Sequence, residues 1–260
     1  MQKTTIHESM TSAVADIPDG IMLMIGGFAG AGFPWNLLTA LYNQGAKDLT
    51  TVSNGVGFPS DREDARGLGD FVVDGRVKKV IASFTAATRP SRPGTAEVAI
   101  RSGEMEADLS PQGTLAERIR SGGAGIPAFY TPAAVGTRVA EGKEVRTFDG
   151  RDYVMETALF ADYAFIRASR ADTAGNLVFR RSAQNFNDPM AMAAEHVIVE
   201  VEHPIVPAGE IDPDHIHLPG VYVERLVQIP EDGIIRVQRQ ATQSPAAAAA
   251  EQASAAVARG

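Results

Sequence analysis

Short apolar runs and amphipathic stretches alternate along the first third of the chain. Residues 21–25 are all apolar and predict a buried strand, and residues 35–43 have the spacing of an amphipathic helix, with Gly45 as its expected end. Residues 49–53 and 77–81 are two further β-prone runs. Strands that alternate with helices in this way are typical of crossover connections. We therefore predict an α/β fold built on an open, mainly parallel sheet with crossover helices.

The same pattern predicts two antiparallel hairpins later in the chain. Asp149-Gly150 is a hairpin turn signal within residues 145–157, and residues 174–176 mark a second hairpin within residues 165–179. The other predicted elements are helices over residues 5–18, 96–100, 111–120 and 188–194, strands over 105–109 and 197–201, a non-helical segment over 127–132 and a β-rich segment over 217–229.

Three local signals predict loops and a helix start. Residues 55–69 are rich in glycine, proline and charge, which predicts a mobile loop near the carboxyl edge of the sheet. Residues 122–125 contain three glycines and predict another glycine loop. Ser110 and Pro111 are residue types favoured at the N-cap and the first position of a helix, so we expect a helix to begin there.

The end of the chain differs in composition from the rest. Residues 241–260 contain five consecutive alanines at 246–250 and no large apolar residue except Val257. Alanine favours a helix but offers little surface to bury, so we predict a flexible tail. The sequence thus divides into one domain over residues 1–230 and an Ala-rich C-terminal segment over residues 231–260.

Charge and composition exclude several classes of function. The 260 residues carry a net charge of −8, which argues against nucleic acid as the main partner. The chain has no cysteine, so disulfides and thiolate metal sites are excluded. No uncharged apolar run reaches the roughly 18 residues of a membrane span, and the first residues lack a signal-peptide pattern. We predict a cytoplasmic protein with no membrane contact.

The densest group of glycines follows the first predicted buried strand. Gly26, Gly27, Gly30 and Gly32 lie within seven positions, and Pro34 stands where a helix would begin. Glycine lets the backbone approach a ligand, and the first N–H groups of a helix have no partner within it, so this order predicts an anion site. The spacing is neither G-x-G-x-x-G nor that of a P-loop. A tight turn without a ligand is the alternative interpretation.

This loop and several later segments resemble the α (A) subunit, or N-terminal half, of the family I coenzyme A transferases. The signature runs from Asp19-Gly20 through an apolar triplet and Gly26-Gly27-Phe28 to residues 32–34. The resemblance covers about residues 5–229 and includes the segments 53–54, 77–83, 110–120, 122–130, 174–176, 182–187 and 213–216. It implies the CoA-transferase/isomerase-like form of the α/β fold.

The resemblance also implies a reaction in which coenzyme A moves between carboxylic acids. In this family a glutamate attacks an acyl-CoA, and an acyl-glutamyl anhydride and then a glutamyl-CoA thioester form before a second acid takes up the coenzyme. That glutamate lies in the β half, within Glu-Asn-Gly, whereas this chain has Ser53-Asn54-Gly55 and no Glu-Asn-Gly. The resemblance therefore implies half of an active site, completed by a β subunit in a heterodimer or heterotetramer.

The matching segments fit the 3-oxoacid branch of the family. This implies succinyl-CoA as the donor and acetoacetate or 3-oxoadipate as the acceptor, with an acetate-type transferase as the nearest alternative. A coenzyme A thioester is thus expected as a substrate, and neither a permanently bound cofactor nor a metal is expected.

Two amides and the glycine loop are the candidate site residues. Asn54 matches an asparagine that the family places beside the reacting carbonyl, so its N–H₂ is expected to donate to an oxyanion, with an ordinary Asn-Gly turn as the alternative. Many relatives carry a second asparagine where this chain has Gly55. Gln112 is expected either to contact a carboxylate substrate or to cap its helix. The loop residues implied to bind coenzyme A, or alternatively to shape the acyl pocket, are Gly26, Gly27, Phe28, Ala29, Gly30, Ala31 and Gly32.

The remaining glutamates, arginines and histidines that could take part in catalysis or binding are more simply explained as surface charges, helix caps or loop residues. The carboxylates that would matter only if the chain acted alone are Glu104, Glu117, Glu156 and Glu195. The arginines that are candidates for binding an anion are Arg89, Arg92, Arg180 and Arg181. His215 and His217 lie two residues apart near two aspartates, and a loop with satisfied side chains is favoured over a metal site.

Two other functions remain as alternatives to the transferase subunit. One is a module that binds an acyl thioester or a sugar phosphate without catalysis. The other is a sugar-phosphate isomerase, which would need its own carboxylate base in the pocket. The absence of a G-x-S-x-G elbow argues against a serine hydrolase.

Overall fold

The computed structural model describes residues 4–86, 93–231 and 233. The strands in this part of the chain are β1 (Thr5–His7), β2 (Met22–Ile25), β3 (Leu49–Gly55), β4 (Val77–Phe84), β5 (Glu106–Leu109), β6 (Ala128–Thr131), β7 (Val145–Phe148), β8 (Arg151–Thr157), β9 (Ala161–Ala168), β10 (Arg170–Ala171), β11 (Leu177–Val178), β12 (Ala194–Val201) and β13 (Arg225–Gln228). The α-helices are α1 (Met10–Val14), α2 (Trp35–Gln44), α3 (Leu68–Val73), α4 (Thr95–Arg101), α5 (Gln112–Gly123) and α6 (Asn187–Met192).

Eight of these strands form one sheet in the order β1-β13-β12-β9-β2-β3-β4-β5. Every neighbouring pair in it is parallel, which confirms the predicted α/β fold with a parallel sheet. From β2 the chain builds outward through β3, β4 and β5, and from β9 it builds in the opposite direction. The order therefore reverses between β2 and β9, and open sheets of this kind bind ligands at the carboxyl ends of the strands beside such a point.

Helices cover both faces of this sheet and enclose two apolar cores. In β2, Leu23 and Ile25 pack with residues of α1 to α4 on one face, whereas Met24 packs with α5 and α6 on the other. Because the side chains of a strand alternate between its two faces, a strand buried on both sides reads as an unbroken apolar run. This explains why residues 21–25 stand out in the sequence.

Two small antiparallel sheets lie outside the main one, and both correspond to predicted hairpins. Strands β7 and β8 turn at Asp149 and Gly150, which have φ of 48° and 77°, and β6 pairs with the other edge of β8. The second hairpin consists of β10 and β11, which are only two residues each. The turn signals thus located both hairpins, but the second one is shorter than predicted.

The helix predicted over residues 5–18 is wrong in its first part. Residues Thr5–His7 form β1, which pairs in parallel with β13 near the other end of the domain. The helix begins only after Ser9, whose hydroxyl accepts the N–H of Ser12 at 3.1 Å. A partner more than 200 residues away leaves no mark on the local sequence pattern, so this strand could not be predicted from periodicity.

Several predicted boundaries also need correction. Pro111, not Ser110, is the N-cap of α5, and the Ser110 hydroxyl instead accepts from Arg118 Nη1 at 2.8 Å. Gly122 lies in the last turn of α5 rather than in a loop. A Cβ there would lie 1.8 Å from the carbonyl oxygen of Leu159, so the glycine is required for close packing. Within residues 217–229 only β13 is a strand, and α3 begins inside the segment predicted as the 55–69 loop.

The tail predicted over residues 231–260 lies outside the described residues except for 231 and 233, so the division at residue 230 remains a prediction. In the described part of the chain, no helix is both long and apolar enough to cross a membrane.

Candidate active site

A cavity of about 250 Å³ opens at the carboxyl edge of the main sheet, where β2, β3 and β4 end. It lies beside the reversal point between β2 and β9, where ligand sites are expected in this architecture. Its described walls are formed by Ile25, Gly26, Gly27, Phe28, Ala29, Gly30, Phe33, Trp35, Ser53, Asn54, Gly55, Val56, Gly57, Phe58, Gly67, Leu68 and Phe84. Most of these groups are apolar, and none of them is charged.

The first five residues of the glycine loop form one wall of this cavity. Phe28 and Ala31 exchange backbone hydrogen bonds of 3.0 and 2.9 Å, which closes a tight turn through Ala29 and Gly30. Ala29 has φ of 48° and Gly30 has φ of 87°, a region that glycine enters without strain. The turn leaves Phe28 41% exposed at the cavity mouth.

The last two residues of the loop contact the interior of the chain, and their contact with coenzyme A stays a prediction. Ala31 and Gly32 are not among the described cavity walls, and their carbonyl groups face residues 183–187 instead. The Ala31 oxygen accepts from Asn185 Nδ2 at 3.0 Å, and the Gly32 oxygen accepts from Asn187 Nδ2 at 3.1 Å. The structure thus brings residues 26–30 to the cavity and turns residues 31 and 32 towards the protein interior.

Asn187 holds the base of the loop in place. Its side chain is fully buried, its Oδ1 accepts the N–H of Arg167 at 3.1 Å, and its Nδ2 also donates to Ala183 O at 2.8 Å. A Cβ at Gly26 would lie 2.0 Å from Asn187 Oδ1, and one at Gly32 would lie 2.5 Å from Asn187 Nδ2. Two of the glycines are therefore required for close packing against this side chain.

At the start of α2, backbone N–H groups that were predicted to contribute to an anion site are already bonded within the chain. The N–H groups of Asn36 and Leu37 donate to Glu200 Oε2 at 2.9 and 3.0 Å, and Asn36 Nδ2 donates to Glu200 Oε1 at 3.1 Å. Glu200 is fully buried on β12, 3.8 Å from Arg167. A carboxylate of the chain itself thus occupies the helix start, and its burial raises the pKa of Glu200 to about 7.

The two candidate amides, Asn54 and Gln112, are in direct contact. Asn54 is buried at the end of β3, Gln112 is exposed at the first position of α5, and Gln112 Nε2 donates to Asn54 Oδ1 at 2.6 Å. Asn54 and Gly55 belong to β3, where Gly55 is paired with Phe84, so they do not form an isolated Asn-Gly turn. In the described part of the chain, Asn54 Nδ2 has no acceptor and remains available to a ligand.

The carboxylates considered for a one-chain mechanism lie elsewhere. Glu156 is buried but bonded to Lys143 at 2.7 Å, and Glu117 is paired with Arg120 at the surface. Glu104 and Glu195 are exposed and are absent from the described cavity walls. The described walls therefore offer an amide donor without a carboxylate beside it.

The basic and histidine candidates lie away from this cavity as well. Arg180 and Arg181 are exposed and are not among its described walls, and Arg89 and Arg92 lie outside the described residues. His217 Nδ1 accepts the N–H of Phe179 at 2.9 Å, and His215 is a surface residue beside Asp212. Among the described residues, no group of three or more metal-ligating side chains occurs.

Sequence patterns gave no functional role to Glu200, Asn187 or Phe84. The sequence does contain a signal for Glu200: it is a single charge inside the apolar run 197–201, and a charge in a strand buried on both faces requires an internal partner. Asn187 lies in a segment that the resemblance included, but its contact with the loop depends on tertiary packing. Phe84 ends β4 and contributes its ring to the cavity wall.

Comparison with known proteins agrees with the sequence resemblance. A family model described as "Coenzyme A transferase" matches residues 7–228. The chain belongs to the coenzyme A transferase family. The A subunit of the succinyl-CoA:3-ketoacid coenzyme A transferase of Helicobacter pylori strain J99 is 46% identical over 84% of this chain and 89% of its own. The probable A subunit of the same enzyme in Bacillus subtilis is 49% identical over 85% and 89%, and the A subunit of the 3-oxoadipate CoA-transferase of Pseudomonas putida is 44% identical over 86% and 93%.

Solved structures show the same fold. A variant of the decarboxylase AibA/AibB superposes with a TM-score of 0.71 at 26% identity, covering 90% of this chain and 86% of that one. The acyl-CoA transferase YdiF of Escherichia coli O157:H7 superposes with a TM-score of 0.75 at 23% identity over 89% of this chain. The match covers only 48% of the YdiF chain, so the present chain corresponds to about half of that longer polypeptide.

Proposed function

We propose that this chain is the A subunit of a heteromeric transferase that moves coenzyme A from succinyl-CoA to a 3-oxo acid, acetoacetate or 3-oxoadipate. The observation that carries the proposal is the cavity itself. It presents the Asn54 amide, oriented by Gln112, and its described walls contain no carboxylate. In a member of the coenzyme A transferase family, this is the arrangement expected of a subunit that receives its nucleophile from a partner.

The proposed reaction proceeds through covalent intermediates on a glutamate of the B subunit. The carboxylate attacks the thioester carbonyl of succinyl-CoA, and the tetrahedral intermediate expels coenzyme A as a thiolate, leaving a mixed anhydride. The thiolate then attacks the glutamyl carbonyl and releases succinate, which gives a glutamyl-CoA thioester. The carboxylate of the 3-oxo acid repeats the two steps in reverse, so the energy of the thioester is conserved throughout.

Asn54 supplies electrostatic stabilisation in this scheme. Each tetrahedral intermediate carries negative charge on the former carbonyl oxygen, and an N–H₂ donor held in a largely apolar cavity stabilises that charge more than water does. Because Gln112 Nε2 binds Asn54 Oδ1, the Asn54 amide is turned so that its donor side is left for the substrate. Gln112 acts as a positioning residue, and its exposed location also allows it to contact the substrate carboxylate.

The size of the cavity indicates which part of the substrate it takes. At about 250 Å³ it is smaller than the roughly 300–1,000 Å³ of pockets for drug-sized ligands, so it holds one end of an acyl-CoA rather than the whole molecule. Since Asn54 lies in its wall, we assign the acyl group and the thioester carbonyl to it. In this proposal residues 26–30 contact the thioester end, whereas residues 31 and 32 support the loop from inside.

The proposed partner is a B subunit, with which this chain forms a heterodimer or a heterotetramer. The three relatives compared above carry the name of an A subunit, and similarity extends over more than four fifths of the chain. The acyl-CoA serves as a substrate, and no resident cofactor is required. We propose a cytoplasmic location, which agrees with the absence of cysteine.

The test is reconstitution with a B subunit from the same organism. The isolated chain should not transfer coenzyme A from succinyl-CoA to acetoacetate or 3-oxoadipate, and addition of the B subunit should produce transfer. Borohydride reduction followed by mass spectrometry should locate the thioester on a glutamate of the B subunit. A thioester adduct on this chain, or full activity of the isolated chain, would contradict the half-site mechanism.

The second candidate is a module that binds an acyl thioester without catalysis, which is also consistent with a cavity that lacks a carboxylate. Tight binding of succinyl-CoA by the isolated chain, with no transfer in the presence of any B subunit, would favour it over the transferase.

A further inference from the structure

The aromatic ring of Phe84 lies over the backbone of Gly55 at the cavity wall. The two residues are neighbours in the parallel register of β3 and β4. A Cβ at Gly55 would lie 2.7 Å from Phe84 Cζ and 2.9 Å from Cε2, so any side chain at position 55 would displace the ring. The ring can adopt this position only because residue 55 is glycine.

This contact lies directly beside the proposed oxyanion donor. Gly55 follows Asn54 in β3, and all three residues, Asn54, Gly55 and Phe84, belong to the cavity wall. Phe84 remains 46% exposed, so its ring is not enclosed in the core and part of it is accessible to a ligand. The position that could hold a second polar side chain next to Asn54 is therefore covered by an apolar surface.

We propose that Gly55 and Phe84 form a specificity-determining pair that limits the length of the acyl chain accepted beside Asn54. The ligand class is the four-carbon 3-oxoacyl group, so of the two proposed acceptors this inference selects acetoacetate over the six-carbon 3-oxoadipate. This inference rests on the proposed transferase function and extends it, since the acyl group must lie in the cavity for its carbonyl to reach Asn54. The ring forms a wall against which one chain length packs and with which longer chains collide.

The magnitude of such discrimination follows from the energetics of small apolar pockets. One methylene group more or less in a hydrophobic pocket changes kcat/KM by about 10- to 200-fold. Replacing Phe84 by a smaller side chain removes the wall without removing a polar contact to the reacting carbonyl. The relative preference for longer chains should then change, while transfer chemistry continues.

The experiment uses the reconstituted heteromer with succinyl-CoA and three acceptors, acetoacetate, 3-oxopentanoate and 3-oxohexanoate. In the Phe84→Ala variant, the ratio of kcat/KM for 3-oxohexanoate to that for acetoacetate should rise by about tenfold or more. Phe84→Leu keeps an apolar side chain at the position and should give a smaller rise. Phe148→Ala is the matched control, because Phe148 is 45% exposed on β7, in a separate sheet, and its loss should leave the ratio unchanged.

A double-mutant cycle tests the contact between the two residues. Gly55→Ala should change the acceptor ratio by about threefold or more in the presence of Phe84, because the new Cβ displaces the ring. The same substitution should change the ratio little when residue 84 is alanine, since no ring is left to displace. Equal effects of Gly55→Ala in both backgrounds would show that the two residues do not act as a pair.

The outcomes separate this inference from the proposed function. If the wild-type heteromer transfers coenzyme A and Phe84→Ala lowers kcat/KM equally for all three acceptors, the specificity role is wrong and the transferase proposal stands. If the wild-type heteromer transfers coenzyme A neither to these three acids nor to 3-oxoadipate, the proposed function is wrong and this inference fails with it. Transfer to 3-oxoadipate alone would contradict this inference and leave the proposed function standing. Thermal melting of each variant shows whether a loss of activity comes from unfolding, and in that case Phe84→Leu decides the question.

Discussion

The carboxylate of Glu200 accepts the backbone N–H of Leu37 at 3.0 Å, although 163 residues separate the two positions in sequence. The same carboxylate accepts two further hydrogen bonds from Asn36. It thereby ties β12 to the start of α2, directly after the glycine loop. The local sequence would place a bound anion at this helix start, but the fold places one of its own carboxylates there.

The pH dependence of stability should reveal this buried carboxyl group. Its pKa rises from 4.5 to about 7 in the folded chain, so between these values the folded state binds more protons at Glu200 than the unfolded state does. The contribution of Glu200 to the free energy of unfolding therefore falls as the pH rises, by up to about 3 kcal/mol over the whole window. In Glu200→Gln the side chain does not titrate, and this part of the pH dependence should disappear.

Urea denaturation of wild type and Glu200→Gln at about pH 5 and about pH 7 measures the effect. The free energy of unfolding of the wild type, relative to that of the variant, should be lower at the higher pH. A difference that is constant or that rises with pH would mean that the pKa of Glu200 is not raised.

Substitution of Gly32 should disturb the glycine loop through a steric contact. In Gly32→Ala the new Cβ would lie 2.5 Å from both Asn187 Nδ2 and the Ala183 carbonyl oxygen. Gly125 is a matched control because both glycines have φ of 70°, yet nothing lies within 4 Å of a Cβ at Gly125. The two variants share the backbone strain. The collision should therefore make the free energy of unfolding of Gly32→Ala about 1–3 kcal/mol lower than that of Gly125→Ala. Chemical denaturation of both variants checks this, and equal losses would argue against close packing at Gly32.

Removal of the Asn54 amide should slow the proposed reaction without unfolding the chain. Loss of one oxyanion donor lowers kcat by about 10²- to 10³-fold in other enzymes, and we expect the same range for Asn54→Ala in the reconstituted heteromer. The effect should fall mainly on kcat, because the contact strengthens as negative charge develops. Asn43→Ala, at an exposed position of α2, serves as the control and should keep its activity. A loss confined to KM would assign Asn54 to substrate binding instead.

Gln112 should act through Asn54. Gln112→Ala removes the hydrogen bond that orients the Asn54 amide, and kcat should fall by about tenfold or less. Gln112→Glu can only accept a hydrogen bond when ionised, so it would turn the Asn54 N–H₂ towards itself and should lower kcat at least as much. In the Asn54→Ala background, Gln112→Ala should have little further effect. Steady-state kinetics of the wild type, Gln112→Ala, Asn54→Ala and the double variant test this, and additive losses would mean that Gln112 contacts the substrate independently of Asn54.

The local sequence predicted the framework of the site well. The apolar run before the glycine loop corresponds to β2, the helix ends at Gly45 in a left-handed conformation, and the Asp149-Gly150 turn closes a hairpin. These features depend on burial of one strand and on backbone preferences of single residues. The family resemblance identified Asn54 and Gln112 as candidates, and the sequence contains both residues in segments that match the family.

What the sequence by itself determined was therefore the α/β alternation, the position of the glycine loop and the absence of a Glu-Asn-Gly nucleophile segment. The tertiary structure alone decided which groups meet: Gln112 with Asn54, Glu200 with the start of α2, Asn187 with Gly32, and Phe84 with Gly55. Each of these contacts joins segments from different strands or helices, and its existence depends on sheet order and strand register. Periodicity and turn signals carry no information about that order, because they reflect only the surroundings of neighbouring residues.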